Sequence, residues 1–237
     1  MNELELILTD ICDCSRAELY HDAPRKVLND RQLKRLEALL KQRARAVPVQ
    51  YGLGYVDFMG LVLKVNKHVL IPRPETEQLV EYVLQLLAQK KLTPTFYRIL
   101  DIGTGSGCIA ITLAKLIKHD VAIVATDISA QALMVASDNA KAHAVRKRIR
   151  FLQSDLFNHA FFKQEGAFDL VVSNPPYVPT AHIGMFDQTT LSEPRIALVG
   201  GSDGCDVYRR LSKEALAHVK KDGLFIVEVG DGQASIL

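Results

Sequence analysis

Two short segments of the sequence contain residues suited to binding a ligand or catalysing a reaction. The first is the glycine-rich run DIGTGSG at residues 101–107. Its glycines follow the apolar segment YRILDI and precede the helix-like segment IAITLAKLIK. Glycines at such a junction let the backbone turn sharply and bring its N–H groups close to a ligand. A tight turn alone is the simpler interpretation, but the position after the first strand of an alternating pattern favours a nucleotide site.

Two acidic residues end the next two apolar runs along the chain. Asp127 follows VAIVAT, at a spacing of about 20 residues from the glycines that suits a carboxylate binding both hydroxyls of a ribose. Capping of the helix that begins near Ser129 is the alternative role for Asp127. Asp155 ends IRFLQSD in the same way, where the edge of a base would lie.

The second segment is Asn174-Pro175-Pro176-Tyr177, directly after the apolar run FDLVVS. Proline lacks an N–H donor and holds the residue before it extended. The side-chain oxygen of Asn174 and the carbonyl of Pro175 are therefore predicted to offer two adjacent acceptors, which suit the two hydrogens of a planar –NH₂ group. Tyr177 would give such a group a flat face. A simple turn with a surface tyrosine is the alternative.

The elements that must position these residues alternate between apolar runs and helical patterns from Tyr97 onward. The runs begin at residues 97, 121, 149, 168 and 223, and a helix is predicted around 206–220. Alternating strands and helices predict a parallel, doubly wound α/β sheet, Rossmann-like in character, with the fourth strand beside the first. Ligands of such sheets bind at the carboxyl ends of the strands.

The residues before this sheet are predicted to form a small helical domain and a connecting hairpin. Apolar residues recur at helical spacing in two segments, with Asp30 as a possible cap for the second: Leu4, Ile7, Leu8 and Ile11, then Leu33, Leu36, Leu39 and Leu40. From Val47 the chain is rich in β-branched and aromatic residues and predicts a hairpin or two short strands. A helix then begins at Pro74.

Composition narrows the class of protein. The 237 residues carry 29 Lys and Arg against 27 Asp and Glu, a net charge of +2, so we expect no binding of nucleic acid through charge alone. Four cysteines make no disulfide framework and favour a reduced, cytoplasmic setting. No apolar run approaches the roughly 18 residues of a membrane span, and the N-terminus does not resemble a secretory signal.

The order DIGTGSG, strand-end Asp127 and NPPY resembles that of the S-adenosylmethionine-dependent N-methyltransferases. Three further segments, VLIPRPETEQLVE, SEPRIALVGGSDG and LFIVEVGDGQ, resemble the HemK/PrmC family of protein-(glutamine-N5) methyltransferases. The resemblance implies a cytoplasmic, monomeric enzyme that uses S-adenosyl-L-methionine, releases S-adenosyl-L-homocysteine, and modifies the GGQ glutamine of peptide-chain release factors. No metal, membrane or direct nucleic-acid partner is expected.

By position, the resemblance implies that the cofactor is bound by the glycine-rich loop, by two acids at strand ends and by an apolar residue near the adenine. The cofactor residues are Gly103, Thr104, Gly105, Ser106, Gly107, Asp127, Asp155, Leu156 and Asn174. Asn174, Pro175 and Tyr177 are the expected catalytic residues, and with Pro176 they also bind the substrate.

Other charged residues have two interpretations each. The resemblance implies that Arg73, Glu75 and Glu193 bind the substrate, as part of a wall that orders the substrate loop. For Arg73 and Glu75, the alternative is that they cap and solvate a helix. A cluster of basic residues is interpreted as a solvated helix end, and contact with an RNA-like or acidic partner is the less common alternative. The cluster consists of Lys141, Arg146, Lys147, Arg148 and Arg150.

The expected domains are a substrate-binding helical domain at 1–46, a hairpin linker at 47–74 and a methyltransferase domain at 75–237. The resemblance implies that the first domain is shortened at its start and the last at its end, without the final hairpin. Strand 224–229 would then be an apolar sheet edge. The rival functions are a nucleic-acid methyltransferase of the adenine-N6 type and a non-catalytic cofactor-binding module.

Overall fold

A computed structural model describes residues 2–22, 27–89 and 96–236 of the chain. The first part of the chain is helical, as predicted. Its helices are α1 (Glu3–Cys12), α2 (Arg16–Asp22), α3 (Asp30–Arg43) and α4 (Val49–Leu53). Their shared core is built on Ile7, Ile11, Leu39 and Val49.

Two details of these helices differ from the prediction. The cap of α3 is Asn29, whose side chain accepts from the Gln32 backbone, while Asp30 is the first helical residue. Leu4, Leu33 and Leu40 are exposed. The buried members of the two apolar stripes are Ile7, Ile11 and Leu39.

The segment from Val47 was expected to be extended throughout, but α4 precedes the hairpin. Gly52 lets α4 approach α3, since a Cβ there would lie 2.8 Å from Leu39 Cδ2. Gly54, at a φ of 88°, ends the helix. Packing against α3 therefore overrides the local β propensity. The hairpin itself is as predicted, formed by β1 (Tyr55–Phe58) and β2 (Leu61–Lys64).

The second part of the chain forms the predicted parallel sheet. After α5 (Pro74–Gln89), its elements are β3 (Phe96–Ile102), α6 (Cys108–Leu116), β4 (Asp120–Asp127), α7 (Ala130–Ala142), β5 (Ile149–Gln153), α8 (Ala160–Gln164), β6 (Phe168–Ser173), α9 (Asp206–His218) and β7 (Val219–Val227). The strand order is β5-β4-β3-β6-β7. The fourth sheet strand, β6, thus lies beside the first, β3, as a doubly wound sheet requires.

Both faces of the sheet are covered. One core packs α5 and α6 against side chains such as Ile99 and Leu170, and the other packs α9 against Leu100 and Val171. Helix α8 was not predicted, because it has only five residues. Strand β7 begins at Val219, earlier than expected, with an irregularity in its pairing between Phe168 and Leu170, and it forms one edge of the sheet.

No helix in residues 2–22, 27–89 and 96–236 has the length and apolar character that crossing a membrane requires.

Asn139 of α7 joins the hairpin to the glycine-rich loop. Its Oδ1 accepts from Lys64 N at 2.8 Å, and its Nδ2 donates to Lys64 O at 3.0 Å and to Ser106 O at 2.9 Å. The side chain is fully buried. A buried carboxamide with three backbone partners fixes both segments, because leaving those partners unpaired away from water is costly.

Replacing Asn139 tests this connection. Asn139→Ala is expected to lower the free energy of unfolding by about 3 kcal/mol, because three backbone groups lose a buried partner. Chemical denaturation measures this. In Asp138→Ala, the matched control on the same helix, only an exposed ion pair to Lys141 is lost, and the change should stay within about 0.5 kcal/mol. Equal losses in the two variants would contradict the role given to Asn139.

Candidate functional site

A cavity of about 240 Å³ lies at the carboxyl ends of β3, β4, β5 and β6, and we call it the strand-end cavity. Of the residues proposed from sequence, ten line it: Gly103, Thr104, Gly105, Ser106, Asp127, Asp155, Leu156, Asn174, Pro175 and Pro176. The predicted cofactor loop and the Asn-Pro-Pro turn therefore face one space. Its lining does not include Gly107, Tyr177, Arg73, Glu75 or Glu193.

The three glycines of the loop have left-handed φ angles, but their surroundings differ. A Cβ on Gly103 or Gly105 would meet no atom within 4 Å, which leaves room for a ligand to approach the backbone. A Cβ on Gly107 would lie 2.8 Å from Ile111 Cδ1 and 3.2 Å from Ala136 Cβ. Gly107 thus serves the packing of α6 against α7, while the first two glycines border the cavity.

Asp127 connects the ends of two elements. Its Oδ2 accepts from Gly105 N and its Oδ1 from Ser129 N, each at 2.9 Å. Burial raises the pKa of this carboxyl, and these hydrogen bonds oppose the shift. The cap of α7 is Ser129, whose Oγ accepts from Ala132 N. Asp127 therefore orders the loop and still borders the cavity, where a carboxylate can accept from a hydroxyl.

The wall beyond β5 combines one charged and one apolar residue. Asp155 forms an ion pair with Arg210 at 2.7 Å, and both residues line the cavity. Leu156 is buried with a φ of 51°, a conformation that costs a non-glycine residue free energy. The ring of Phe157, the next residue, does not line the cavity and instead stacks on His218 with centroids 4.6 Å apart.

The Asn-Pro-Pro-Tyr turn is held by hydrogen bonds that reach two other elements. Asn174 Nδ2 donates to Thr76 Oγ1 at 3.0 Å, and Thr76 Oγ1 donates to Glu228 Oε2 at 2.8 Å. The Tyr177 hydroxyl lies 3.4 Å from Glu228 Oε1. The tyrosine therefore faces Glu228 and, at its Cδ2, Gly230.

Arg73 and Glu193 lie together behind the cavity wall. They form an ion pair in which Glu193 is almost wholly buried, and Glu193 Oε2 also accepts from Ile71 N at 2.9 Å. Arg195, two residues after Glu193, begins a short 3₁₀ turn in the loop. Glu75 is exposed, and Glu77 Oε1 accepts from Met59 N at 2.6 Å. Arg73 and Glu193 thus tie the segment before α5 to the long loop after β6.

Four residues of the site were not predicted from the sequence: Thr76, Glu228, His68 and Arg210. Thr76 and Glu228 stand inside two of the segments that carry the family resemblance, but nothing in their spacing shows that they meet. His68 lines the cavity from the segment after the hairpin. His143, His159 and His182 are outside its lining.

The basic cluster beside β5 is mostly occupied by local contacts. Arg148 donates to Ala114 O and to His119 O, and Arg146 donates to Ile149 O at 2.9 Å. The Arg150 guanidinium lies 4.7 Å from the centroid of the Phe161 ring. These contacts hold the three arginines against neighbouring elements, and the cluster lies outside the lining of the strand-end cavity.

Comparisons with known proteins agree along the whole chain. A model described as the methyltransferase small domain matches residues 78–193, and one described as the PrmC N-terminal domain matches residues 1–54. The release factor glutamine methyltransferase of Chlorobaculum tepidum is 40% identical over 98% of this chain and 79% of its own length. That of Geobacter sulfurreducens is 39% identical over 98% and 78%.

A solved structure shows the same fold. The human methyltransferase 10 domain containing protein matches with a TM-score of 0.52 over 87% of this chain and 83% of its own. At 20% identity the likeness concerns the fold alone.

The pKa of the buried Asp101 carboxyl, beneath the glycine loop, makes the stability of the protein depend on pH. It is fully buried, its Oδ2 accepts from Thr104 Oγ1 at 2.6 Å, and its Oδ1 has no partner among the described residues. Burial raises the pKa of this acid to about 7. The folded protein therefore binds a proton more tightly than the unfolded chain, and the free energy of unfolding should fall as pH rises from about 4 toward 7.

Asp101→Asn should remove this contribution, since asparagine resembles the protonated acid. We expect the decline in the free energy of unfolding between pH 5 and 8 to be smaller in the variant than in the native protein. Asp138→Asn is the control, because Lys141 lowers the pKa of the exposed Asp138, which stays ionised throughout this range. Urea denaturation at several pH values measures both. Parallel profiles for Asp101→Asn and the native protein would be inconsistent with a raised pKa of Asp101.

Proposed function

Because the chain belongs to the family of release factor glutamine methyltransferases, we propose that it transfers a methyl group from S-adenosylmethionine to the side-chain amide nitrogen of the GGQ glutamine in peptide-chain release factors. The observation that carries the proposal is that Asn174 and Pro175 line the same cavity as Gly103, Gly105 and Asp127. A carboxamide held by the turn would lie beside a nucleotide-type cofactor held by the loop.

The residues of the strand-end cavity fit the cofactor. Open space at Gly103 and Gly105 admits a ligand close to the backbone, Asp127 can accept from ribose hydroxyls, and Leu156 offers an apolar contact. Asp155, paired with Arg210, lies where the edge of a base would be read. When bound, the cofactor supplies an electrophilic methyl group on a sulfonium.

The task of the protein is to present a poor nucleophile in the right geometry. The amide nitrogen shares its lone pair with its carbonyl, so it reacts only when it is aligned with the methyl group and close to it. Asn174 Oδ1 and the Pro175 carbonyl accept the two amide hydrogens. These acceptors direct the nitrogen lone pair and stabilise the partial positive charge that develops on nitrogen. As the nitrogen gains the methyl group, it gives up one of its two hydrogens as a proton to water.

We assign Tyr177 a role other than that of a flat face for the substrate amide. Its hydroxyl is turned to Glu228, and its ring borders Gly230 rather than the cavity. We propose that Tyr177 forms the outer edge of the substrate opening, where the glutamine side chain enters. Arg73 and Glu193 support the same opening from behind, because their ion pair fixes the loop that follows the turn.

Removing the carboxamide of Asn174 tests the central role. Asn174→Ala should lower kcat for methyl transfer to a release factor by about 100-fold or more, because one of the two acceptors that hold the amide is lost. Isothermal titration with S-adenosylmethionine should show that binding is retained. Transfer of labelled methyl measures kcat.

Two controls make this result specific. Asn158→Ala removes an exposed carboxamide outside the cavity lining and should leave kcat unchanged. A release factor with the GGQ glutamine replaced by alanine should accept no label. Near-native turnover by Asn174→Ala, or full labelling of the altered release factor, would refute the proposal.

A further inference from the structure

The orientation of the Asn174 carboxamide is set by residues outside the Asn-Pro-Pro-Tyr turn. A carboxamide has an oxygen end and a nitrogen end of nearly the same shape, so packing alone distinguishes them poorly. Only the oxygen can accept a hydrogen from a substrate amide. A site of this kind therefore needs a group that selects one of the two orientations.

Thr76 meets this need through its single hydroxyl hydrogen. That hydrogen is given to Glu228 Oε2 at 2.8 Å, since an ionised carboxylate can only accept. The lone pairs of Thr76 Oγ1 remain, and Asn174 Nδ2 donates to them at 3.0 Å. The reversed carboxamide would place its oxygen against these lone pairs and would be repelled.

Glu228 is firmly placed at the end of this chain of hydrogen bonds. Its N–H donates to Ser173 O at 3.0 Å, and its carbonyl accepts from the Tyr208 hydroxyl at 2.8 Å. Burial raises the pKa of the Glu228 carboxyl, while hydrogen bonds from Thr76, Tyr177 and the Asn174 carboxamide lower it and favour the ionised form. The carboxylate thus gives the chain its direction.

We propose that Thr76 and Glu228 are positioning residues for methyl transfer, which hold Asn174 with Oδ1 free to accept the substrate amide and Nδ2 turned away. The inference rests on the proposed function and adds two residues to it. Thr76 is 2% exposed and stands in the first turn of α5, so the same contact also fixes the start of α5 relative to the ends of β6 and β7. A chain of hydrogen bonds that ends in a carboxylate also polarises the carboxamide and strengthens Oδ1 as an acceptor.

The first experiment compares Thr76→Val, Thr76→Ser and Thr112→Val. Valine keeps the shape of threonine and removes the hydroxyl, so Thr76→Val should lower kcat about 10-fold to 100-fold through misplacement of Asn174. Thr76→Ser keeps the hydroxyl and should restore most of the rate. Thr112→Val is the matched control, because Thr112 is equally buried and its hydroxyl has no partner among the described residues.

The affinity for S-adenosylmethionine separates positioning from general damage. It should change by less than about 3-fold in every variant, because the lost interaction acts on the transition state. The double variant Thr76→Val with Asn174→Ala should be no slower than Asn174→Ala alone, since the effect of Thr76 on kcat is exerted through Asn174. Additive losses, or a failure of serine to restore the rate, would overturn the proposal.

The second experiment needs no turnover and remains decisive if release factors are not the substrate. Hydrogen exchange of the Asn174 side-chain amide, followed by NMR in the protein without substrate, should be about 10-fold faster in Thr76→Val, because a part-buried hydrogen bond is removed. Thr112→Val should exchange at the native rate. Unchanged exchange in Thr76→Val would overturn the positioning role. Absence of methyl transfer by the native protein would refute only the proposed function.

Discussion

The site depends on one constraint, the register of β3 with its two parallel neighbours. Ile102 pairs with Thr126 of β4 on one side and with Ser173 of β6 on the other. The residues that follow these three are Gly103, Asp127 and Asn174. Since neighbouring strands lie about 4.8 Å apart, the glycine loop, the acid and the carboxamide begin within about 10 Å of one another. A shift of one residue in either pairing would turn these side chains to the wrong face.

Electrostatics at this edge of the sheet follow from the same placement. Asp101, Asp127 and Glu228 all lie at or near strand ends, and burial raises the pKa of each. Such carboxyls are unfavourable when ionised without a compensating charge. A ligand that brings a positive charge, as a sulfonium does, would offset this cost, whereas an anionic ligand would add to it. Of these three acids Asp127 borders the strand-end cavity, so a cationic ligand there would stabilise its ionised form.

The features of this fold that the sequence predicts are those set by local sequence pattern, whereas contacts between distant residues are not predicted. The strands around Ile99 and Val171, the helix from Pro74 and the strand-end positions of Asp127 and Asn174 follow from local pattern, because buried parallel strands are short apolar runs. Helix α4 could not be predicted from local pattern, since its packing against α1 and α3 favours it over a strand. Thr76 and Glu228 are 152 residues apart. Their contact exists only once α5 and β7 have packed.

The segment between the hairpin and α5 explains why residues before the sheet matter to the chemistry. His68, Val69, Leu70 and Pro72 form one wall of the strand-end cavity. This wall is held at both ends, by Asn139 at the hairpin and by the buried Glu193 beneath Arg73. Thr76 follows directly and meets Asn174. One continuous stretch therefore closes the cavity and orients its central carboxamide, so movement of the hairpin against the sheet would disturb both together.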